Sequence, residues 1–117
     1  MHRYVLAAAL ALSVVRPAAA DFADAIEAYD QGDYAMTFAV TQPLAEAGDR
    51  DAQYMLGFLY ERGEGVARDL TRAYAWYILA ARQGDAFAAQ ALATLAPRMS
   101  DADIADAETF ARLVAAD

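Results

Sequence analysis

Residues 52–84 read AQYMLGFLYERGEGVARDLTRAYAWYILAARQG. Apolar residues recur at helical intervals on both sides of a glycine-punctuated loop, which predicts two helices joined as a hairpin. Neither helix can bury its apolar face alone. Parts of the pattern recur 36 residues apart, as at Gly48-Asp49 and Gly84-Asp85. A repeat of this length is typical of a helical solenoid, so we expect an all-α fold.

The first helix of this hairpin, predicted over residues 51–61, carries two stripes of large side chains. One stripe is Ala52, Leu56 and Tyr60, and the other is Tyr54, Phe58 and Glu61. Two such stripes predict a helix that is contacted from both sides. Gly57 lies inside it, where glycine costs about 1 kcal/mol relative to alanine. We therefore expect a partner helix to approach closely there, with Ala73 or Ala80 as its matching small surface.

The loop that follows contains two glycines and leads into a second helix over residues 70–83. Gly63 is predicted to end the first helix, Gly65 to form a second tight turn, and Val66 to return to the core. Asp69 is placed to cap the second helix, and Gly84 ends it. The predicted buried face of this helix comprises Leu70, Ala73, Tyr74, Tyr77, Ala80 and Ala81, with Trp76 beside it.

The flanking segments predict further helices. Residues 21–47 form a first hairpin that breaks at Gly32, with Asp33 as a cap and a bend near Pro43. Its first helix presents one face that contains Phe22, Ala25, Ile26 and Tyr29. Residues 85–117 form a half repeat and a final helix from about Ser100. We expect that helix to act as a lid on the end of the stack.

The N-terminal twenty residues have the features of an export signal. Arg3 precedes an apolar run over residues 5–15, and three alanines end at Ala20. The alternative is a membrane anchor, but the run is well below the ~20 residues that span a bilayer. We expect residues 1–20 to be cleaved and residues 21–117 to be periplasmic or secreted, without stable membrane insertion.

The predicted mature chain is acidic and lacks most catalytic side chains. It has seven arginines against 17 acidic residues, hence a net charge of −10, so we expect it to repel nucleic acid. Solubility is the favoured explanation of this charge, and a basic partner is the alternative. The mature chain also contains no His, Cys, Lys or Asn and a single serine. We expect no nucleophilic triad, no lysine Schiff base, no histidine-ligated zinc and no cofactor.

Two pairs of aspartates could in principle work as paired carboxylates in glycoside cleavage. They are Asp49 with Asp51 and Asp101 with Asp103. Each pair lies at a predicted helix start, where capping is the favoured explanation. We therefore predict that the protein is not an enzyme.

Taken together, residues 52–84 resemble the Sel-one-like repeat, a relative of the tetratricopeptide repeat. The matching positions are Ala52, Leu56, Gly57, Tyr60, Gly63, Gly65, Val66, Asp69, Ala73, Trp76, Tyr77, Ala80, Ala81 and Gly84. Residues 21–47, with their short turn, look more like a tetratricopeptide hairpin. The resemblance implies an exported bacterial protein built as an α/α solenoid of about two and a half hairpins, whose concave face binds other proteins.

The Tyr54, Phe58 and Glu61 stripe is the predicted partner-binding surface, because the resemblance places first helices on the inner face. The alternative, which is the favoured explanation of their position, is that both aromatics pack against Tyr29 or Phe87 in neighbouring repeats. The favoured function is a periplasmic adaptor that recruits a protein partner. The other candidate is a peptidoglycan- or polysaccharide-associated protein that binds or hydrolyses glycan. Self-association is a further expectation, because so short a stack leaves exposed ends.

Overall fold

The computed structural model describes residues 20–116, and within them the chain is helical with no strand. The predicted signal peptide, residues 1–20, therefore lies outside the described residues except for Ala20. The helices are α1 (Phe22–Asp30), α2 (Tyr34–Glu46), α3 (Arg50–Arg62), α4 (Leu70–Arg82), α5 (Ala86–Leu95) and α6 (Asp101–Ala116), with a 3-10 turn at Ala96–Arg98. The all-α prediction is confirmed.

Helices α1–α5 each begin after an aspartate that caps the helix. Its carboxylate accepts a hydrogen bond from the backbone N–H three residues later, over 2.8 Å at Asp49 and 3.2 Å at Asp33. The five caps are Asp21, Asp33, Asp49, Asp69 and Asp85. At α6 the Ser100 hydroxyl accepts from the Asp103 N–H at 3.0 Å. The predicted caps at Asp33, Asp69 and Ser100 are confirmed, and five acidic residues have a local structural role.

The loop between α3 and α4 packs against the first hairpin. Gly63 ends α3 with φ +69°, and Gly65 follows with φ +74°, so both take the predicted left-handed conformation. A Cβ added at Gly65 would overlap the backbone carbonyl of Tyr34, whose carbon lies 2.7 Å from the Cβ position. Gly65 therefore provides both the turn and the space for the loop to contact the first residue of α2.

The core forms between helices that follow one another, and α4 lies at its centre. Contacts join α1 to α2, α2 to α3, α3 to α4 and α4 to α5, while α6 packs on α4. Small residues let these helices approach closely: the fully buried alanines are Ala25, Ala45, Ala52, Ala73, Ala75, Ala80, Ala88, Ala107 and Ala111. The final helix, predicted to be a lid, covers α4, and its Phe110 packs edge-on against Trp76 with ring centroids 6.0 Å apart.

The close approach predicted at Gly57 is confirmed. A Cβ at that position would lie 3.1 Å from the Ala73 carbonyl oxygen, which belongs to one of the two alanines expected there. It would also lie 2.8 Å from two carbons of the buried Tyr77 ring. The glycine in α3 therefore makes room for a large side chain of α4 as well as for its backbone.

Both helices of the first hairpin contain a residue that the spacing alone does not explain. Ile26, predicted to lie on the apolar face of α1, is 37% exposed, and Ala28 is buried instead. The apolar spacing alone could not show which side of this first helix has a neighbour. Helix α2 continues through Pro43, and the Ala47 N–H donates to the Pro43 carbonyl at 3.0 Å. The bend near Pro43 stays a prediction.

Candidate functional site

A groove lined by aromatic side chains lies between α3 and α5. We call it the aromatic groove; its volume is about 220 Å³, and its principal lining residues are Tyr54, Phe58, Glu61, Tyr77, Phe87 and Gln90. The helical spacing of α3 brings Tyr54, Phe58 and Glu61, the three predicted site residues, to one side of that helix. The structure therefore brings the predicted stripe together in one concave surface.

The rings in and beside this groove contact one another in series along the repeats. Phe58 packs against Tyr29 of α1 with centroids 6.0 Å apart, and Tyr54 packs against Phe87 of α5 at 6.2 Å. Tyr54 also lies 5.6 Å from the Tyr77 ring. These are the contacts with Tyr29 and Phe87 that the alternative interpretation expected. Tyr54 and Phe58 nevertheless stay half-buried, and their partner-binding role remains a prediction.

Phe87 is the residue of this groove that sequence reasoning treated only as a packing partner. Its side chain is 70% exposed, more than any other large hydrophobic residue described. The feature of the sequence that could have identified Phe87 is its position in α5. The buried residues of that helix are Ala88 and Leu95, and Phe87 lies to one side of them. Because Phe87 adjoins other aromatic side chains in one concave surface, it marks a candidate contact surface.

Glu61 is held in place at one edge of the groove. The Tyr77 hydroxyl donates to Glu61 Oε1 at 2.7 Å, and the Arg68 Nε–H donates to the Glu61 backbone carbonyl at 3.1 Å. Among residues 20–116, the ion pairs join Arg50 to Asp51, Arg62 to Glu64 and Arg72 to Asp69. The Glu61 carboxylate is thus oriented by a buried hydroxyl and carries no ion pair within the described chain.

Two carboxylates, those of Asp85 and Glu61, lie close enough to Tyr54 to affect its pKa. Burial raises the pKa of Tyr54, and the carboxylates of Asp85 and Glu61 raise that pKa further. On the other side of Phe58, the Arg62 guanidinium lies 5.2 Å from the ring centroid and pairs with Glu64 at 3.1 Å. Glu64 also accepts a hydrogen bond from the Tyr29 hydroxyl at 2.9 Å. The positive charge of Arg62 is therefore balanced by the carboxylate of Glu64.

Because of Tyr77, the folded state is expected to become less stable as the pH becomes alkaline. Burial raises the pKa of Tyr77 above its ordinary value of about 10, and the hydrogen bond and charge of Glu61 raise that pKa further. The folded chain therefore keeps a proton that the unfolded chain releases above about pH 10. This contribution to stability is fully present below the unfolded pKa and is lost as pH rises above it.

We expect the free energy of unfolding to fall between about pH 10 and pH 11, by up to ~1.4 kcal/mol per pH unit for each such tyrosine. In Tyr77→Phe the fall is expected to be less steep, because one of the titrating hydroxyls is gone. Urea unfolding of both proteins at a series of pH values measures the two slopes. Equal slopes in the two proteins would show that Tyr77 has the same pKa in the folded and unfolded chains, which would contradict the prediction.

A second concavity, of about 390 Å³, lies by the turns that follow α2 and α4 and includes Gln53, Arg82, Gln83 and Val114. Gln53 is 5% exposed, and its Nε2 donates to the Ala45 carbonyl at 3.2 Å. The Gln83 Nε2 donates to Gln53 Oε1 and to the Gly48 carbonyl, each at 2.9 Å. These bonds satisfy the buried amide and join the turn after α2 to the end of α4.

The aspartate pairs considered for glycoside cleavage have other roles in the structure. Asp49 caps α3, and Asp51 pairs with Arg50 at 3.4 Å. Asp101 and Asp103 occupy the first turn of α6, where they complement the positive helix end, and Ser100 makes the cap. Within residues 20–116 no three potential metal ligands cluster. No helix in that part of the chain is long and apolar enough to cross a membrane.

Comparison with known proteins identifies the central hairpin. Residues 50–85 match the family model described as Sel1 repeat, a segment that covers α3, the long loop and α4. The resemblance seen in the sequence over residues 52–84 is confirmed for this segment. Sel1 repeats generally mediate protein–protein interaction, and the proteins that contain them are generally non-catalytic.

One relative is Chitin synthase regulatory factor 3 of Schizosaccharomyces pombe, which is 58% identical over 33 residues. The similar segment makes up 28% of this chain and 4% of that protein. The chain therefore spans a small fraction of the relative's length, and the likeness is one of a single repeat. The export of this chain and its bacterial origin stay predictions.

Proposed function

We propose that the protein is a non-enzymatic adaptor that binds a protein partner in the aromatic groove of its helical-repeat domain, residues 21–117. The observation that carries this proposal is Phe87, which is 70% exposed beside the half-buried Tyr54. Exposed aromatic side chains in a concave, otherwise packed surface are typical anchors of protein interfaces. Four of the six principal lining residues belong to the segment that matches the Sel1 repeat, and this supports the same conclusion, since such repeats generally bind proteins.

The groove is also preorganised, which favours binding. Tyr77 is almost fully buried, and its hydroxyl holds the Glu61 carboxylate. Tyr54 contacts both Tyr77 and Phe87, so its ring has little freedom to lose when a partner binds. Side chains that are already ordered lower the entropic cost of association.

We further propose that this adaptor works in the periplasm after removal of residues 1–20. The export-signal features of that segment support the location. The name of the relative bears on the function and not on the location: it describes a regulatory factor, which suits an adaptor better than an enzyme. Cell fractionation of the full chain, followed by N-terminal sequencing of the product, tests the location. An unprocessed N-terminus in the cytoplasmic fraction would contradict it.

Site-specific photocrosslinking tests the binding surface. We replace Phe87 by a photoreactive phenylalanine analogue in the full chain, express it in the native host, and compare it with the same replacement at Leu113. Leu113 is a matched control because it is 65% exposed and lies on α6. We expect a discrete protein adduct from position 87 and little from position 113. Equal adducts at both positions, or none at position 87, would contradict the proposal.

Two other occupants are outcomes of the same experiment. An adduct with twice the mass of the chain would show that a second copy covers the groove, as expected if the short stack self-associates. Glycan binding is the second candidate function, since the exposed Phe87 ring could also stack on a sugar. In that case the protein would sediment with purified cell wall, and Phe87→Ala would release it.

A further inference from the structure

We propose that the aromatic groove receives an arginine side chain of the protein partner, whose guanidinium stacks on Tyr54 and Phe87 and pairs with Glu61. This inference rests on the proposed function and names the chemistry of the partner.

The size of the groove suits one long side chain. Its volume of about 220 Å³ is below the ~300–1,000 Å³ of pockets that enclose drug-sized ligands. The Tyr54 and Phe87 rings are 6.2 Å apart and inclined at 51°, and neither carries a cation among the described residues. A ring face attracts a cation within about 6 Å of its centroid. The groove therefore offers aromatic surface on which a cation is stabilised.

Charge complementarity selects a cation over a neutral side chain. Glu61 Oε1 is held by the Tyr77 hydroxyl, so the carboxylate points in a fixed direction and its second oxygen has no ion-pair partner in residues 20–116. Asp85 adds a second negative charge, which raises the pKa of Tyr54 together with Glu61. Arg50, which lines a neighbouring cavity with Asp85 and Phe87, is paired with Asp51. Arg68 donates to the Glu61 backbone carbonyl, not to its carboxylate. An incoming guanidinium therefore meets two carboxylates, Glu61 and Asp85, that have no ion pair among residues 20–116.

The described chain itself contains this combination of groups twice. Arg62 lies 5.2 Å from the Phe58 centroid and pairs with Glu64 at 3.1 Å. Arg72 lies 5.8 Å from the Phe110 centroid and pairs with Asp69 at 3.3 Å. Each site joins a ring, a carboxylate and a guanidinium. Rings and a carboxylate also line the aromatic groove, and there the partner supplies the guanidinium.

Arginine fits this site better than lysine. Its planar guanidinium stacks on a ring while it donates forked hydrogen bonds to a carboxylate, whereas an ammonium is a compact and strongly hydrated charge. The probe is therefore an acetylated and amidated peptide, Gly-Leu-Arg-Leu-Gly. Its control carries citrulline, which has nearly the shape of arginine but no charge.

Titration of the isotope-labelled protein, followed by NMR, measures both affinities and the site. We expect the arginine peptide to shift the backbone signals of Tyr54, Phe58 and Phe87 and to bind about tenfold more tightly than the citrulline peptide. Affinity should fall as salt rises. Equal affinities, or no shift of these signals at millimolar arginine peptide, would overturn the inference.

Two variants remove charge while keeping the local hydrogen bonds. Glu61→Gln retains an oxygen for the Tyr77 hydroxyl, and Asp85→Asn retains a cap for the Ala88 N–H. We expect each to reduce the preference for arginine over citrulline to about threefold or less, with thermal melting nearly unchanged. Glu108→Gln, on α6, is the control and should keep the full preference. A full preference in both groove variants contradicts the inference.

These outcomes separate the two proposals. If Phe87 crosslinks to a protein and the citrulline peptide binds as well as the arginine peptide, the adaptor proposal stands and the arginine inference fails. If Phe87 yields no protein adduct and neither peptide shifts the groove signals, both fail.

Discussion

Gly65→Ala should lower the free energy of unfolding by about 3 kcal/mol or more, the largest effect expected of an alanine at any of the six glycines. Two costs combine. Gly65 has φ +74°, a conformation that strains alanine, and the new Cβ would overlap the Tyr34 carbonyl group. Since that carbonyl begins α2, the loop must move away from the first hairpin. Thermal unfolding should show a fall in Tm of roughly 15 °C.

Gly32→Ala is the matched control for this experiment. Gly32 has nearly the same backbone conformation, with φ +78°, but its added Cβ would have no atom within 4 Å. It should therefore show the conformational cost alone, about 1 kcal/mol. The difference between the two variants measures the contact between the loop and α2. If both lose the same stability, the loop does not pack against Tyr34 as the structure shows.

Tyr77→Ala should cost about 3–5 kcal/mol, because it removes a large side chain that is 1% exposed. The cavity would open beside Gly57, which has no Cβ to fill it. The groove should be lost as well, since Tyr77 supports the Tyr54 ring and orients Glu61. Urea unfolding of the purified variant measures the change.

Two further substitutions separate the ring of Tyr77 from its hydroxyl. Tyr77→Phe keeps the packing and loses one hydrogen bond to a half-buried carboxylate, so about 1 kcal/mol is expected at neutral pH. Tyr74→Ala removes a tyrosine of the same helix that is only half-buried, and it should cost less than Tyr77→Ala. If Tyr77→Phe destabilised as much as Tyr77→Ala, the hydroxyl and not the ring would be the main contribution.

The local features of the fold could be predicted from the sequence. The caps at Asp33 and Asp69, the left-handed turns at Gly63 and Gly65, and the close approach at Gly57 are all present in the structure. The caps and turns depend on interactions within a few residues. The close approach at Gly57 joins two helices, but a glycine inside an apolar helical pattern indicated it. The exposed Ile26 shows the limit of such patterns, because its burial depends on whether a neighbouring helix covers that side.

The candidate site could be predicted in part. Tyr54, Phe58 and Glu61 share one side of α3 by spacing alone, so their grouping followed from the period of the helix. The packing alternative also named the contact of Tyr54 with Phe87, but not the 70% exposure of Phe87, because that exposure depends on which helices cover this side of α5. The hydrogen bond between Tyr77 and Glu61 joins two helices, and no motif in the sequence indicates it.

The sequence alone determined the helices, their ends and the repeat at residues 50–85, because helical periodicity, caps and glycine turns are set by near neighbours in the chain. The tertiary structure decided which apolar side chains remain exposed and which charges remain unpaired. Those properties depend on contacts between distant residues, such as Tyr29 and Glu64, which are 35 positions apart. Such contacts exist only after the helices pack, and they shape the aromatic groove.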